Sequence, residues 1–99
     1  MDELTGKQRR HLRALGNPLK ATVFIGRDGV SAAVLHSIEE AYANRELLKL
    51  KIERSCPLDR KEAGQQLATA TKSHLVQVMG QTVLLYRADP EEPQIALPS

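Results

Sequence analysis

The sequence predicts an α/β fold, a two-layer α+β domain with the element order α-β-α-β-α-β-β and a mixed four-stranded sheet. Three observations favour it. A length of 99 residues suits one domain. Short apolar or alternating runs typical of strands recur along the chain. Between them lie segments with helical spacing of apolar residues, each preceded by a residue that can cap a helix.

The first element is a basic helix. Thr5 can cap a helix over residues 6–15, with Leu12 and Leu15 on its apolar side, and Gly16 stands where a C-terminal glycine belongs. Its cationic residues are Lys7, Arg9, Arg10 and Arg13. Like charges this dense cost helix stability unless an anion neutralises them, which favours a binding role over a merely solvated face.

A glycine loop joins the first strand to the second helix. Residues 21–25 are an apolar run rich in β-formers and predict a buried strand, and Gly26-Arg27-Asp28-Gly29 follows. Ser31 can cap a helix that runs to about Asn44. Glycines let another backbone approach closely, and a helix N-terminus suits a phosphate. The alternative that these four residues form only a turn stays open at this point.

The remaining elements complete the sheet. Leu48–Ile52 alternates and points Lys49 and Lys51 outward. Asp59 can cap a helix over residues 60–71, and strands are predicted at 75–79 and 82–86, joined by a tight turn. Two β-α-β connections make the first three strands parallel, and the hairpin makes the last one antiparallel.

Composition indicates the domain organisation and the cellular compartment of the protein. Residues 1–87 are expected to form one domain, and residues 88–99 an acidic, proline-containing flexible tail. The lone Cys56 fits a reducing, cytoplasmic compartment, and the sequence has no signal-peptide pattern and no transmembrane run. A monomer is sufficient for everything the sequence indicates.

Charge indicates an anionic partner. All 14 Lys and Arg residues lie within residues 7–88, with only seven of the 12 acids, so the body of the chain is basic. A normally solvated surface is the alternative. Three aromatic residues in the chain argue against stacking as the main way of holding single-stranded bases.

The sequence shows no catalytic or metal-binding constellation. The three histidines fall on different elements without ligand spacing, and the glycine loop is neither a Walker A motif nor a dinucleotide fingerprint. We therefore expect no enzyme activity, no cofactor and no metal.

Four motifs in their order carry a family resemblance. They are N-P-L-K at 17–20, I-G-R-D-G at 25–29, L-L-K-L-K-I at 47–52 and V-Q-V-M-G-Q-T-V-L-L-Y-R at 76–87. From about Thr5 to Arg87 the chain resembles the CRS1–YhbY family, also called the CRM domain, and in particular its free-standing bacterial YhbY members. Asn17 and Ala21 depart from the residues that the family commonly carries there, His and Pro.

The resemblance implies a fold similar to the C-terminal domain of translation initiation factor three, with an added N-terminal helix. It also implies a G-x-x-G loop like that of KH domains, which clamps a nucleic-acid backbone. Free-standing bacterial members are linked to precursors of the large ribosomal subunit. The residues expected to contact RNA are Gly26, Arg27, Asp28, Gly29, Lys20, Lys7, Arg9, Arg10 and Arg13, with Lys49 and Lys51 as an extension.

The expected function is non-catalytic binding of ribosomal RNA during assembly of the large subunit. Backbone N–H groups and Arg27 are expected to hold phosphates, with Asp28 turned away or making an Asx-type turn. The alternative is a protein-interaction module that docks its basic face on an acidic ribosome-assembly partner. DNA binding is a third reading that charge leaves open.

Overall fold

The computed structural model describes residues 3–99. Met1 and Asp2, the start of the predicted domain 1–87, lie outside the described residues. The elements in chain order are α1 (Gly6–Gly16), β1 (Val23–Ile25), α2 (Ala32–Tyr42), β2 (Leu47–Ile52), α3 (Arg60–Thr71), β3 (His74–Met79) and β4 (Thr82–Tyr86). Every predicted element is present, with bounds that differ by at most two residues.

The four strands form one mixed sheet in the order β1-β2-β4-β3. β1 pairs with β2 in parallel, and β4 is antiparallel to both β2 and β3. The first three strands therefore point the same way and the last opposes them, as the sequence predicts. β4 lies between β2 and β3 because its hairpin with β3 folds back into the centre of the sheet.

One face of the sheet carries the main core under α2 and α3. Alternate strand residues point to this face, which the sequence predicts for the apolar positions of β2. Its largest fully buried side chains include Ile25, Ile38, Leu48, Leu50, Leu67, Val83 and Leu85. At the end of this layer the hydroxyl groups of Tyr42 and Ser73 share a hydrogen bond of 2.7 Å. Burial raises the pKa of Tyr42 to about 12.

The other face carries a smaller core under α1. Leu12 is fully buried there and packs with the strand residues Leu47, Val76, Leu84 and Tyr86. Helices therefore lie on both faces of the sheet, so α1 adds a third partial layer to the two predicted ones.

Two details of α1 correct the sequence analysis. Leu15, expected on the apolar side, is 41% exposed because the helix turns that position past the edge of the small core. Gly16 is the last helical residue and its φ is not positive. A Cβ there would lie 2.6 Å from Leu84 Cδ2, so Gly16 allows the helix to pack closely on β4 instead of reversing the chain.

Phe24 in β1 is a third correction. The sequence predicts a buried first strand, but Phe24 is 53% exposed while Val23 and Ile25 are buried. The strand alternates, and Phe24 points to the second face beyond the part that α1 covers.

The tail has contacts that a free segment would lack. Backbone N–H groups of Asp89, Gln94 and Ile95 donate to the carboxylate of Glu46, at 2.6 to 2.8 Å. Ile95 and Leu97 pack against the small core. Glu46 thus holds residues 89–97 on the domain; the division into a domain 1–87 and a flexible tail 88–99 stays a prediction.

Candidate nucleic-acid interface

The glycine loop is a tight turn at the end of β1. Gly29 N donates to Gly26 O at 3.0 Å, and Gly29 has a φ of 61°, in the left-handed region that favours glycine. Gly29 is buried, whereas Arg27 and Asp28 at the tip are exposed. The bond that closes the turn thus joins two backbone atoms, and the exposed Asp28 side chain is turned to solvent.

A neighbouring segment supports the loop from below. Glu53 N donates to Ile25 O at 2.8 Å, which ties the chain after β2 to the chain before the loop. A Cβ on Gly26 would lie 3.2 Å from Glu53 Oε1, and one on Gly29 would lie 3.5 Å from Pro57 Cγ. Space is tight only at Gly26, against the end of the Glu53 side chain, whereas at Gly29 the positive φ favours glycine. The bond to Glu53 N fixes the position from which Arg27 projects.

The N-terminus of α2 faces the same end of the sheet. Ser31 Oγ accepts from Val34 N at 3.2 Å, and the first bond within the helix runs from Leu35 N to Ser31 O at 3.0 Å. The N–H groups of Ala32 and Ala33 precede that bond and have no carbonyl of their own helix to meet. Together with the positive end of the helix dipole they favour an anion beside the loop.

Further cations that the sequence analysis missed lie beside the segment that supports the loop. A groove of about 560 Å³ opens beside the segment after β2 and the start of α3, and its lining includes Arg54, Arg60 and Lys61. Arg60 also donates to Gly80 O at 3.0 Å, in the turn between β3 and β4. The acids Glu53 and Asp59 also line it, but Asp59 caps α3 through the N–H groups of Lys61 and Glu62. The carboxyl ends of parallel strands lie at the same edge of a sheet. Because Arg54 follows β2 and the glycine loop follows β1, the sequence could have placed Arg54 near the loop.

The predicted lysines lie between this edge and α1. Lys51 is exposed on the second face of the sheet, and Lys49 on the same face donates to Asn17 O at 3.3 Å. Lys20 is exposed in the segment that leads from α1 to β1.

The basic residues of α1 are not beside the loop. Leu12 packs on the first residue of β2 and the last residue of β4, which places α1 at the end of the sheet away from Gly26–Gly29. Lys7 and Arg10 are exposed, and Arg13 is half-buried. The glycine loop and the basic residues of α1, all of which the sequence analysis expected to contact RNA, therefore lie at different ends of the sheet.

Arg9 is used by the fold. Its guanidinium donates to Leu75 O at 2.6 Å and to Val76 O at 3.0 Å, so α1 is fastened to the start of β3. Burial, and then the charge of Arg9, lowers the pKa of His74, whose ring stacks on Tyr86 with centroids 5.9 Å apart.

Arg87 is also used by the fold. It donates to both carboxylate oxygens of Glu39 at 2.9 Å and to Thr71 O at 2.9 Å, and lies over the Tyr42 ring. Its hydrogen bond lowers the pKa of Glu39. In the part of the chain that the structure describes, this pair and His36–Glu40 are the ion pairs found, so the cations at the loop are not neutralised by carboxylates.

Residues 3–99 offer no constellation for metal binding. No group of three or more His, Cys, Asp or Glu side chains there could hold an ion. Cys56 is half-buried and free. No helix among these residues is both long and apolar enough to cross a membrane.

The fold and this site define a small α/β domain with a glycine-bounded loop and cationic side chains at one sheet edge. The model of the CRS1/YhbY (CRM) domain matches residues 4–87. The chain belongs to this family, which confirms the resemblance seen in the sequence.

Relatives and a solved structure agree with this assignment. The chain is 37% identical over 95 residues to the "Probable RNA-binding protein YqeI" of Bacillus subtilis, covering 96% of this chain and 99% of the relative. It is 33% identical over 98 residues to an "RNA-binding protein" of Haemophilus influenzae, covering 99% and 98%. The solution structure of a hypothetical protein from Staphylococcus aureus, described as a candidate RNA-binding protein, has a TM-score of 0.82 and 38% identity and covers 96% and 99%. The similarity of this structure confirms the fold class.

Proposed function

We propose that this chain is a non-catalytic RNA-binding protein of the cytoplasm, which binds ribosomal RNA in precursors of the large subunit during ribosome assembly. The observation that carries the proposal is the loop itself. A glycine turn presents the exposed Arg27 beside the open N–H groups of α2, at an edge with unneutralised cations.

An RNA backbone can be held at this edge by phosphate contacts alone. One phosphate meets Arg27 and the N-terminus of α2, and neighbouring phosphates meet Arg54, Arg60 and Lys61 along the groove. Contacts of this type fix position without reading bases, so recognition depends on the shape of the RNA.

The exposed cations of α1 form a second contact. Lys7 and Arg10 lie toward the other end of the molecule, and Lys20, Lys49 and Lys51 lie between the two parts. A folded RNA long enough to span the domain reaches both, which fits a structured ribosomal RNA better than a short strand. The names of the two relatives support RNA as the partner. The link to large-subunit precursors rests on the resemblance to free-standing bacterial members.

The test is binding of the full chain to large-subunit ribosomal RNA fragments across a salt series. If about five phosphates are neutralised, log affinity falls against log salt with a slope of roughly −3.5 to −4.5. Arg27→Ala should reduce the magnitude of that slope by about 0.7 to 0.9. Gly29→Asp should fold, since Asp tolerates the left-handed region, and should bind at least about tenfold more weakly because it adds a carboxylate beside the phosphate.

Arg45→Ala is the matched control, because Arg45 is an exposed cation at the opposite end of β2 and belongs to neither of the two contacts. It should leave affinity and slope unchanged. A flat salt dependence, or equal weakening by Arg27→Ala and Arg45→Ala, would contradict the proposal. Co-sedimentation with ribosomal precursors that survives RNase and is lost on proteolysis would favour docking on an acidic assembly protein. Equal affinity for duplex DNA of the same length would favour general nucleic-acid binding.

A further inference from the structure

The loop end of the second sheet face carries an uncovered row of side chains. The strand register places Phe24, Lys51, Thr82 and Met79 next to one another across all four strands. They share the face of Leu47 and Leu84, but α1 covers that face only toward its other end. With neighbouring strands about 4.8 Å apart, the row is about 14 Å long.

Exposure of this row is unusual for its residue types. Phe24 and Met79 are each 53% exposed, and they are two of the three large apolar side chains exposed among residues 3–99. A single exposed apolar side chain needs no explanation, but two in one row of a sheet indicate a contact surface.

The charge of the row identifies the kind of partner. Lys51 stands between the two apolar side chains, Lys49 lies two residues back on the same face, and no acid belongs to the row. An acidic or a purely apolar protein surface would match only half of this pattern. An unpaired nucleotide matches both halves, because its base has an apolar face and its phosphate is anionic.

The row is continuous with the candidate interface. Gly26 follows Phe24 by two residues, so the ring lies about 7 Å along the strand from the start of the glycine loop. A backbone held at Gly26–Gly29 therefore brings its neighbouring nucleotide over the row.

We propose that this row is a platform for a single-stranded segment of RNA, on which one base stacks on Phe24 while Lys51 contacts the adjoining phosphate. The inference rests on the proposed function and adds to it a preference for unpaired nucleotides beside the loop. Met79 extends the apolar surface for a second base at the far edge. Stacking of this kind tolerates any base, so the platform selects strandedness and not sequence.

The test uses the full chain and a short oligouridine that carries one 2-aminopurine, whose fluorescence falls on stacking, beside an RNA duplex of equal length. Phe24→Leu keeps an apolar side chain but removes the ring, and should weaken single-strand binding about tenfold and abolish the quenching. It should leave the duplex affinity and the salt slope unchanged. Phe24→Tyr should restore single-strand affinity and the quenching. Lys51→Ala should reduce the magnitude of the salt slope by about 0.7.

Leu15→Ala, which removes an exposed apolar side chain outside the row, is the control and should bind as wild type does. Circular dichroism checks the fold of each variant. If Phe24→Leu matches wild type in affinity and quenching while Gly29→Asp binds weakly, the platform is overturned and the proposed function stands. If wild type binds large-subunit RNA fragments but not the oligouridine, the platform is likewise overturned and the proposed function stands; if it binds none of these RNAs, both are overturned.

Discussion

The two ends of the sheet use their arginines differently. At the loop end Arg27 and Arg54 are exposed and are not paired with a carboxylate within residues 3–99. At the other end Arg9 donates to two strand carbonyls and Arg87 is held by Glu39 and Thr71 O. An excess of positive charge is therefore not in itself a binding surface: part of it stabilises the fold, and the remainder is free for an anion.

The acids divide in the same way. Glu46 is only 4% exposed and its carboxylate accepts three backbone N–H bonds from the tail. Glu53 stands exposed beside the loop. Glu46 is thus used to hold the tail, while the exposed carboxylate of Glu53 leaves the loop end open.

The largest expected effect follows from removing the Glu46 carboxylate, which holds the tail on the domain. Glu46→Ala should lower the free energy of unfolding by about 2 to 4 kcal/mol, because three bonds to a charged group are lost and the tail leaves the small core. Urea unfolding measures the loss, and amide exchange of Gln94 and Ile95 should become fast. RNA affinity at the loop should be unchanged.

Glu40→Ala is the matched control, since the Glu40 carboxylate is exposed and lies 3.4 Å from His36 Nε2 on the same helix. Its unfolding free energy should stay within about 0.5 kcal/mol of wild type. Protected Gln94 and Ile95 amides in Glu46→Ala would show that the apolar contacts of Ile95 and Leu97 hold the tail without the carboxylate.

The second-largest expected effect is a difference in stability between variants of two neighbouring arginines of α1. Arg9→Met should cost about 1 to 3 kcal/mol of stability, because it removes charged hydrogen bonds to two strand carbonyls. Arg10→Met should cost less than about 0.5 kcal/mol. The order should reverse in RNA binding, where Arg10→Met reduces the magnitude of the salt slope and Arg9→Met does not. Equal stability of the two variants would show that the Arg9 bonds do not fasten α1.

Local pattern was enough to predict most of the fold. Period-two alternation located β2, and caps such as Thr5, Ser31 and Asp59 located the helix starts, because these signals lie within one turn or one strand. The glycine loop followed from the same local signals. Its binding role stays a prediction.

Long-range placement could not be predicted in the same way. The side of the sheet on which α1 packs, the exposure of Phe24 and the capture of the tail by Glu46 depend on partners dozens of residues away. Arg9 and Arg10 have the same chemistry in the sequence, and only the position of β3 distinguishes them. The groove cations Arg54 and Arg60 were missed because they come together through the sheet edge and not through spacing.

The smallest expected effect is a pH dependence at the α1 end. The pKa of His74 lies below its ordinary 6.5, because burial and then the charge of Arg9 disfavour the imidazolium. As the pH falls below 6.5, His74 is protonated first in the unfolded chain. The free energy of unfolding therefore declines until the pH passes the lower pKa of His74 in the folded state. His74→Phe keeps a ring against Tyr86 and should remove this decline, whereas the contribution from the lowered pKa of Glu39 is lost only below its ordinary 4.5. Urea unfolding between about pH 5 and 7.5 isolates the histidine. In Arg9→Met the decline should be smaller, since the charge of Arg9 is one cause of the lowered pKa, and an unaltered profile there would show that Arg9 does not contribute to it.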